Sequence, residues 1–578
     1  MKSDNTKKTA KPNLPDNSRV KTTKINDHIY LMDDNHEGTG YLVIGDKKAL
    51  VIDTMNGCAD VKAIVRKYTD LPLIVVNTHG HPDHMHGNIY FDEVYLCPDD
   101  ADVYMEFTDD PEIRKIKEET GLKMPDVKDI KDGDKIDLGS LHLDVIALPG
   151  HTPGSILLLL KEDRILFTGD AVNHHLWMQL HHSTSLKMCR DSMERVLYLE
   201  KEADRILHGH TIVPDGCKDI DSIFDDISLI RHDMEAIDEI LSGNTKGDED
   251  YKWFGGVGKT HPIPNDTGVI CFNPISDRVK KDRKEWAISD AKRDKGLEEP
   301  QDVKKYRNIS YGLFKEHNLL DVYVPTALEK TESDKPKVKS GKANKLPVLI
   351  NVHGGGYFYG DKELYRFYAM DMARYGFIVV NFNYRLSPEY KFPSALQDIN
   401  NVVIWIEEHA KEYGMDTERV FMMGDSAGAQ LTSHYAAINS NEEFASYYPL
   451  RQTKIKLKGI SLACGMYDIP GLITGETLND CAMDYIGEYK DPKNPMLDVL
   501  GAITKDYPAT YIFSSPNDFL YENCEPMYRL IIERGAKAKM KIYGTKRMKN
   551  IAHVFHCNMY TKIGAKARKD QADFLLSL

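Results

Sequence analysis

The stretch LIVVNTHGHPDH, residues 73–84, decides the fold of the first half of the chain. An apolar strand, Leu73–Asn77, leads directly into three histidines and one aspartate. A loop at the end of a strand can turn several side chains toward one point. Because imidazole and carboxylate groups without thiolate suit Zn²⁺ or a similar divalent ion, this stretch predicts a metal site at the end of a buried strand.

Further candidate ligands follow along the chain, each just beyond a predicted strand or within a turn: His151, Asp170 and His210. His151 lies in the turn PGHTPG, residues 149–154. From residue 26 onward, apolar runs alternate with short polar turns, as in the predicted hairpins Lys135–Leu148 and Ile156–Gly169. Helical patterns are interleaved with these strands, which indicates a layered α/β arrangement.

These motifs together resemble the metallo-β-lactamase superfamily over about residues 20–275. The resemblance implies an αββα sandwich with two divalent metal ions, for which Zn²⁺ is favoured, and a hydroxide held between the ions as the nucleophile. It assigns His79, His81 and His151 to one ion, Asp83, His84 and His210 to the other, and Asp170 to both. Since no cysteine occupies a ligand position, the chain is most similar to the hydroxyacylglutathione hydrolase and lactonase branches.

Other polar residues near these motifs are not assigned as metal ligands. Asp53, at the end of a strand, is expected to support the metal loop, and His86 is either incidental or supports a ligand. Four histidines follow Asp170 closely and either line a substrate pocket or lie in an exposed loop: His174, His175, His181 and His182.

The second half of the chain carries a serine motif, GDSAG, at residues 424–428. It follows the apolar strand Val420–Met423 and precedes a helical pattern, which is the context in which a sharp turn lifts Ser426 above a sheet. Upstream, HGGG at residues 353–356 ends another strand and can direct backbone N–H groups at a developing oxyanion. Asp518 and then His553 follow Ser426, in the order that the α/β-hydrolase fold requires.

With YRLSPE at 384–389 and FPSALQD at 392–398, this half closely resembles the hormone-sensitive-lipase family of esterases over about residues 306–578. The resemblance implies a doubly wound sheet and an acyl-ester hydrolase in which Ser426 is the nucleophile, His553 the base and Asp518 its orienting partner. The implied oxyanion hole consists of the amides of Gly355, Gly356 and Ala427.

Two details of this second half depart from the family or admit a rival. His556 is a second candidate base, but the family pattern H-x-F favours His553. Asn517 and Glu522 depart from the residues that the family commonly has around Asp518, which affects the detail of that loop and not the triad.

The 578 residues are too many for one hydrophobic core, so we predict two domains. We predict a disordered tail over residues 1–20, a metallo-β-lactamase-like domain over 21–277, a charged linker or cap helices over 278–305, and an α/β-hydrolase domain over 306–578. Strand–helix alternation from residue 310 predicts a parallel sheet, interrupted by a polar loop over 329–345.

Composition limits the classes of partner. The net charge of −14 argues against nucleic acid or an anionic membrane as the main partner. The nine cysteines are scattered without a CxxC pair, which predicts reduced thiols, and no apolar run is long enough to cross a membrane. We therefore predict a cytoplasmic protein that acts on small ester, lactone or thioester molecules. The oligomeric state is open, and a homo-oligomer is compatible with the sequence.

Three functions are compatible with these patterns. The first is a bifunctional hydrolase with a serine carboxylesterase and a dinuclear-metal site on one chain. The second is an esterase whose metallo-β-lactamase-like domain serves only as a structural or oligomerisation module. The third is a binding protein in which both sites capture ligands without turnover. The two complete sets of catalytic residues favour the first function.

Overall fold

The computed structural model describes residues 14–243, 245, 247, 250–253, 256–266, 268–314, 317–326, 345–474, 480–487 and 489–578. The chain divides into two compact units, Met1–Phe254 with Gly258–Asn273, and Gly255–Val257 with Pro274–Leu578. Residues 1–13 of the predicted tail and 329–344 of the predicted loop lie outside the described residues. The predicted domain boundaries stay predictions.

The first unit contains two large sheets. A seven-stranded sheet is formed, in spatial order, by β1 (Val20–Lys24), β2 (Ile29–Asp34), β3 (Thr39–Ile44), β4 (Ala49–Ile52), β5 (Leu73–Val76), β6 (Val94–Leu96) and β7 (Val127–Asp129). A six-stranded sheet has the order β14-β13-β11-β10-β9-β8, with β8 (Lys135–Asp137), β9 (His142–Ala147), β10 (Ile156–Leu160), β11 (Ile165–Gly169), β13 (Arg205–His208) and β14 (Asp225–Asp226). A smaller sheet, β12-β17-β16-β15, consists of β12 (His175–Trp177), β15 (Asp250–Trp253), β16 (Gly256–Ile263) and β17 (Gly268–Phe272).

Strand β10 shows why this unit is a four-layer sandwich. All five of its residues are buried, because both faces of the strand are covered. Leu158 packs with Val43 and Ile52 of the seven-stranded sheet. Leu159, on the opposite face, packs with residues of the helices α5 (Leu186–Val196) and α6 (Leu229–Leu241). The sheets therefore meet face to face in the centre of the unit.

Helices also cover the outer face of the seven-stranded sheet. They are α1 (Val61–Val65), α2 (Pro82–Met85), α3 (Ala101–Phe107) and α4 (Pro111–Thr120). Val61 of α1 and Ile113 of α4 pack with Val51 and Val75 of the sheet. The layer order is thus helix, sheet, sheet, helix, and the predicted αββα fold is confirmed.

The second unit is built on one eight-stranded sheet with the order β18-β19-β21-β20-β22-β23-β24-β25. Its strands are β18 (Val303–Ser310), β19 (Leu319–Pro325), β20 (Leu346–Val352), β21 (Ile378–Phe382), β22 (Met415–Asp425), β23 (Leu457–Ala463), β24 (Ala509–Ser514) and β25 (Ala538–Ile542). Its helices are α7 (Asp277–Asp294), α8 (Arg366–Arg374), α9 (Ser394–Tyr413), α10 (Ala427–Ser440), α11 (Glu442–Ala445), α12 (Ile469–Thr474), α13 (Asp480–Ile486), α14 (Val499–Ala502), α15 (Cys524–Glu533) and α16 (Lys562–Leu576).

Helices pack on both faces of this sheet, so the predicted doubly wound fold is confirmed. Ile350 of β20 packs on one face with residues of α9 and α10. Leu349, its neighbour, packs on the other face with residues of α8 and α16. Strands covered on both faces become continuously apolar, which is why β20 and β21 are visible in the sequence.

The sheet differs from the prediction at one edge. The six strands from β21 to β25 in the spatial order pair in parallel, but β18 and β19 pair antiparallel with each other, and β19 pairs antiparallel with β21. A short connection between Ser310 and Leu319 joins β18 to β19, and it is too short for the crossover that parallel pairing needs. Strand β18 was not predicted from the sequence, because its Lys304, Lys305 and Arg307 continue the preceding charged stretch.

Part of the charged stretch after residue 277 forms helix α7, which packs within the second unit. Arg283 donates to both carboxylate oxygens of Glu389 at 2.8 Å and to the carbonyl oxygen of Phe358. The ring of Trp286 lies 4.8 Å from that of Phe358. No helix among the described residues is long and apolar enough to span a membrane, and no disulfide bond joins any of the nine cysteines, all of which are described.

A buried carboxylate, Asp100, joins two loops of the first unit. It accepts hydrogen bonds from the backbone N–H of Gly80 at 2.8 Å, from that of Gly154 at 2.6 Å, and from the hydroxyl of Thr152 at 2.7 Å. Burial raises the pKa of Asp100 to about 6, against the effect of these donors. A side chain at Gly154 would come within 2.5 Å of the Asp100 nitrogen, so only glycine fits there.

We expect Asp100→Ala to leave the backbone N–H groups of Gly80 and Gly154 unpaired, whereas the hydroxyl of Thr152 still has Ser155 as a partner. An unmet buried donor costs about 1–3 kcal/mol, so the local free energy of unfolding should fall by at least about 2 kcal/mol. Hydrogen exchange followed by mass spectrometry on peptides that contain Gly80 and Gly154 measures this change. Asp99→Ala, at the exposed neighbouring residue, is the matched control. Equal exchange in the two variants would show that Asp100 does not hold the loops.

Candidate functional site

The first candidate site lies where β5 ends. Thr78 follows this strand, and its backbone N–H donates to Asp53 at 2.7 Å. Pro82 occupies the first turn of α2, where its missing N–H costs nothing. The carbonyl of His84 accepts from the backbone of Thr54 at 2.8 Å and from the side chain of Asn77 at 2.8 Å. The loop that carries the histidines is therefore fixed at both ends.

The structure brings all seven predicted ligands together in two adjoining groups. Within each group the potential ligand atoms lie within 4.8 Å of one another. One group is His79, His81 and His151, and the other is Asp83, His84, Asp170 and His210.

Asp170 lies at the boundary between the two groups. Its Oδ2 is 3.2 Å from His210 Nε2 and 3.8 Å from His151 Nε2, and its Oδ1 is 3.6 Å from His84 Nε2. Its two oxygen atoms therefore face histidines of both groups. Burial alone would raise the pKa of Asp170, but the facing His210 and His84 hold it well below the usual value.

Three buried atoms in these groups have no hydrogen-bond partner: His79 Nε2, His84 Nε2 and Asp170 Oδ1. Buried polar atoms are rarely left unpaired, so atoms that converge in this way fit a bound cation. Burial lowers the pKa of His79 and of His81 well below the usual value, and neutral imidazole is the form that binds metals. The donor set of histidine and aspartate fits Zn²⁺ and similar divalent ions.

In three of the predicted ligands, His79, His84 and His151, the nitrogen Nδ1 contacts an oxygen atom, and this contact fixes the ring. His79 Nδ1 lies 3.1 Å from the hydroxyl of Thr78, and His84 Nδ1 lies 2.8 Å from Asp53 Oδ2. His151 Nδ1 lies 2.9 Å from the carbonyl oxygen of Trp177. When each Nδ1–H donates to its oxygen, the lone pair of each Nε2 points into the centre. Asp53 adopts a φ of 59° at the end of β4, which strains the backbone. Its contacts agree with the supporting role expected for it.

Four further histidines lie close to the ligand residues in the sequence: His86, His174, His175 and His208. His86 is buried and contacts the carbonyl oxygen of Phe107 at 3.1 Å. His174 contacts Asp225 at 2.7 Å, and His175 is exposed. His208, which the sequence analysis did not single out, accepts from the backbone N–H of His210 at 3.1 Å.

His181 and His182 both contact one carboxylate, that of Glu106 in α3. The sequence predicted a pocket or an exposed loop for these histidines, and Glu106 was not predicted to contact them. The carboxylate lies 75 residues before His181 in a helix whose charged residues are typical of a solvated surface. No spacing signal in the sequence connects it to them.

The second candidate site lies at the turn between β22 and α10. Ser426 has φ 54° and ψ −122°, a conformation that a non-glycine residue rarely adopts. Gly428 permits this turn, because a side chain there would come within 2.2 Å of the carbonyl oxygen of Val352. The hydroxyl of Ser426 is thereby lifted beyond the end of the sheet.

A continuous chain of hydrogen bonds runs from this serine. Ser426 Oγ lies 2.9 Å from His553 Nε2, and His553 Nδ1 lies 2.7 Å from Asp518 Oδ1. The other carboxylate oxygen of Asp518 accepts from the hydroxyl of Ser514 at 2.5 Å. Burial alone would raise the pKa of Asp518, but several contacts hold this pKa below the usual value, and the hydrogen bond from His553 is the strongest of them.

The rival base lies apart from this chain. The ring of His556 is fully buried and packs edge-on against Tyr368 at 5.2 Å. Burial lowers the pKa of His556 to about 3, so the ring is neutral near pH 7. The structure thus brings His553, and not His556, to Ser426.

The glycine loop after β20 lies beside the serine turn. Gly355 and Gly356 have positive φ angles of 119° and 59°. The backbone N–H of Gly354 donates to the hydroxyl of Tyr365 at 3.1 Å, and this hydroxyl donates to Asp425 Oδ2 at 2.8 Å. Ala427, the first residue of α10, has one of the helix N-terminal N–H groups that lack a partner within the helix.

Comparisons with known proteins agree with this division of the chain. The family model described as "Metallo-beta-lactamase superfamily" matches residues 35–210, and the one described as BD-FAE matches residues 312–540. Tuliposide A-converting enzyme 1, chloroplastic, of Tulipa gesneriana is 24% identical over 252 residues, which are 39% of this chain and 61% of that protein. An acetyl esterase of Salmonella schwarzengrund is 25% identical over 260 residues, 42% of this chain and 75% of that protein.

The chain thus spans less than two thirds of the length of the tulip relative. Among solved structures, Esterase B from Lactobacillus rhamnosis has a TM-score of 0.46 at 22% identity and covers 52% of this chain and 96% of its own. The matches confirm the fusion predicted from the sequence: residues 35–210 match the metallo-β-lactamase superfamily, and the second half of the chain is similar to esterases.

Proposed function

We propose that the chain is a bifunctional hydrolase. The second unit acts as a serine carboxylesterase on small acyl esters, and the first acts as a dinuclear-metal hydrolase on a thioester, lactone or related substrate. The observation that carries the esterase proposal is the hydrogen-bonded chain from Ser426 through His553 to Asp518. The observation that carries the metal proposal is the convergence of seven ligands around unpaired buried atoms.

In the esterase, Ser426 Oγ attacks the ester carbonyl while His553 Nε2 takes its proton. His553 then returns this proton to the leaving alcohol, and water hydrolyses the acyl-enzyme by the same route. Asp518 holds the ring in the tautomer with the proton on Nδ1 and stabilises the imidazolium. The low pKa of Asp518 keeps its carboxylate ionised for this task.

We assign the oxyanion hole to the amides of Gly355, Gly356 and Ala427. The supporting contact is the link from Gly354 through Tyr365 to Asp425, because Asp425 directly precedes the nucleophile. The link couples the position of the glycine loop to that of the serine turn. Preorganised N–H donors of this kind stabilise a developing oxyanion without reorganisation.

Aromatic residues border this site and support small acyl esters as substrates. The ring of Phe519 lies 4.3 Å from that of His553 and is 74% exposed. Trp286 of α7 lies near Gly356, since a side chain at that glycine would come within 3.5 Å of its ring. We propose that α7 is a cap helix beside the substrate.

In the first unit, His79, His81 and His151 would hold one divalent ion and Asp83, His84 and His210 the other, with Asp170 shared. Such ions, with Zn²⁺ favoured, supply Lewis acidity and a water of lowered pKa. Burial alone would lower the pKa of His84, but the carboxylates of Asp83, Asp170 and Asp53 raise it well above the usual value. This excess of negative charge favours a bound cation.

Changing the catalytic histidine tests the esterase proposal. We expect His553→Gln to lower kcat/KM for p-nitrophenyl acetate by about 10²–10⁴-fold, the contribution of a general base. His556→Gln is the matched control, and its loss should be far smaller because its ring faces Tyr368. Circular dichroism checks that both variants fold. If His556→Gln lowered kcat/KM more than His553→Gln does, His556 would be the catalytic base and the proposal would be wrong.

Metal analysis tests the proposal for the first unit. We expect the chain, purified from cells grown with Zn²⁺ and Mn²⁺, to retain about two divalent ions after dialysis, as a paired-ion site requires. Asp170→Ala should lower this number, because one carboxylate serves both ions. His142→Gln, at an exposed histidine of the same unit, is the control. A native chain that retains no metal would contradict the proposal.

A further inference from the structure

His81 differs from His79, His84 and His151 in the partner of the ring nitrogen that faces away from the ligand group. His79, His84 and His151 each present Nδ1 to an oxygen atom, whereas His81 presents its outer nitrogen to another imidazole. Its Nδ1 faces His151 Nε2 at 2.8 Å, inside the ligand group. Its Nε2 lies 3.4 Å from Nδ1 of His182, and the two ring centres are 5.3 Å apart.

If His81 is a metal ligand, this role determines which of the ring nitrogens of His81 and His182 carry a proton. A neutral imidazole that binds a cation through Nδ1 carries its proton on Nε2. This Nε2–H must therefore donate, and the atom in front of it is Nδ1 of His182. His182 accepts there only as the tautomer whose proton is on its own Nε2.

Glu106 selects that tautomer. His182 Nε2 lies 2.8 Å from Oε2 of the carboxylate, and His181 Nε2 lies 3.0 Å from Oε1. The side chain of Glu106 is 14% exposed, and that of His182 is 7% exposed. The carboxylate of Glu106 faces the Nε2 atoms of both His182 and His181, and two such N–H donors favour its anionic form.

These contacts also bear on a competing interpretation, in which Glu106, His181 and His182 bind a third metal ion. Their potential ligand atoms are close enough for that. However, His182 would then need the lone pair of its Nε2 for the ion and that of its Nδ1 for His81. A neutral imidazole has only one such lone pair, so a cation on His81 excludes a cation on His182.

We propose that His182 and Glu106 are positioning residues for the first metal ion. They form a relay in which His81 donates to His182 and His182 donates to Glu106. The relay fixes the ring of His81 with Nδ1 toward the ion. It also strengthens His81 as a metal ligand, because an imidazole whose other N–H donates a hydrogen bond to a basic partner is more basic. The proposal rests on the proposed metal function of this unit.

Metal affinity tests the relay. We expect His182→Ala and Glu106→Gln to weaken Zn²⁺ binding about 10–100-fold, as is typical when a partner of a ligating histidine is lost. The affected site is the group that contains His81, with His79 and His151. Competition with a fluorescent chelator measures this affinity on the full chain. Co²⁺ substituted for Zn²⁺ gives a second readout, since its visible absorption reports the ligand geometry and should change in the same variants.

Two further variants separate positioning from a structural role. His181→Ala removes the other imidazole from Glu106 but leaves His182 against His81, so we expect the affinity and the Co²⁺ spectrum of the native chain. His182→Asn places an amide oxygen near the position of Nδ1, so it should restore part of the affinity that His182→Ala loses. If His182→Ala fails to fold, Glu106→Gln and His182→Asn provide the same comparison.

The outcomes distinguish the relay from the metal proposal beneath it. A native chain that binds no ion overturns the proposed function of the first unit and the relay with it. A native chain that binds ions, with unchanged affinity and spectrum in His182→Ala and Glu106→Gln, overturns the relay alone. A third ion in the native chain that is lost in Glu106→Gln would establish the competing interpretation.

Discussion

Buried carboxylates that accept hydrogen bonds from loop groups fix the ends of the strands in both units, and the candidate sites depend on this constraint. In the first unit, Asp53 holds the start of the histidine loop, and Asp100 ties this loop to the one that carries His151. In the second unit, Asp425 holds the glycine loop through Tyr365. Burial raises the pKa of Asp100 and of Asp425 to about 6, which shows the cost of placing a carboxylate there.

Strained backbone accompanies these carboxylates. Asp53 and Ser426 each end a strand with a positive φ, of 59° and 54°. Such conformations persist only where the surrounding contacts determine them, and they are frequent at functional sites. At Ser426 the strain presents the hydroxyl that we propose as the nucleophile, and at Asp53 it directs one carboxylate to both Thr78 and His84. The relay behind His81 extends the same arrangement by one more carboxylate.

The sequence was sufficient to predict both folds and to name the residues that converge. Strands buried on both faces are continuously apolar, so β10, β20 and the stretch Val420–Met423 of β22 could be recognised. The motifs beside these strands carry predicted ligands and the predicted nucleophile. Other features were not visible in the sequence. Strand β18 resembles a charged linker because it forms a half-exposed edge, and the small sheet that contains β12 brings together segments far apart in the chain.

The partners of the ligands were also beyond the sequence. Asp100 lies 54 residues from Gly154, and Glu106 lies 76 residues from His182. Both lie among other acidic residues, so nothing in the local pattern separates them from solvated ones. Their importance follows from burial and from the donors that face them, and only the folded chain provides these.

The most direct test of two independent hydrolytic centres is one substrate panel of short acyl esters, lactones and thioesters. It compares the intact chain with Ser426→Ala and Asp83→Ala. We predict that each substitution abolishes hydrolysis of a different group of substrates and leaves the other group unaffected. If Ser426→Ala abolishes all hydrolysis while Asp83→Ala changes none, the first unit is not a general hydrolase and serves the esterase as a structural module.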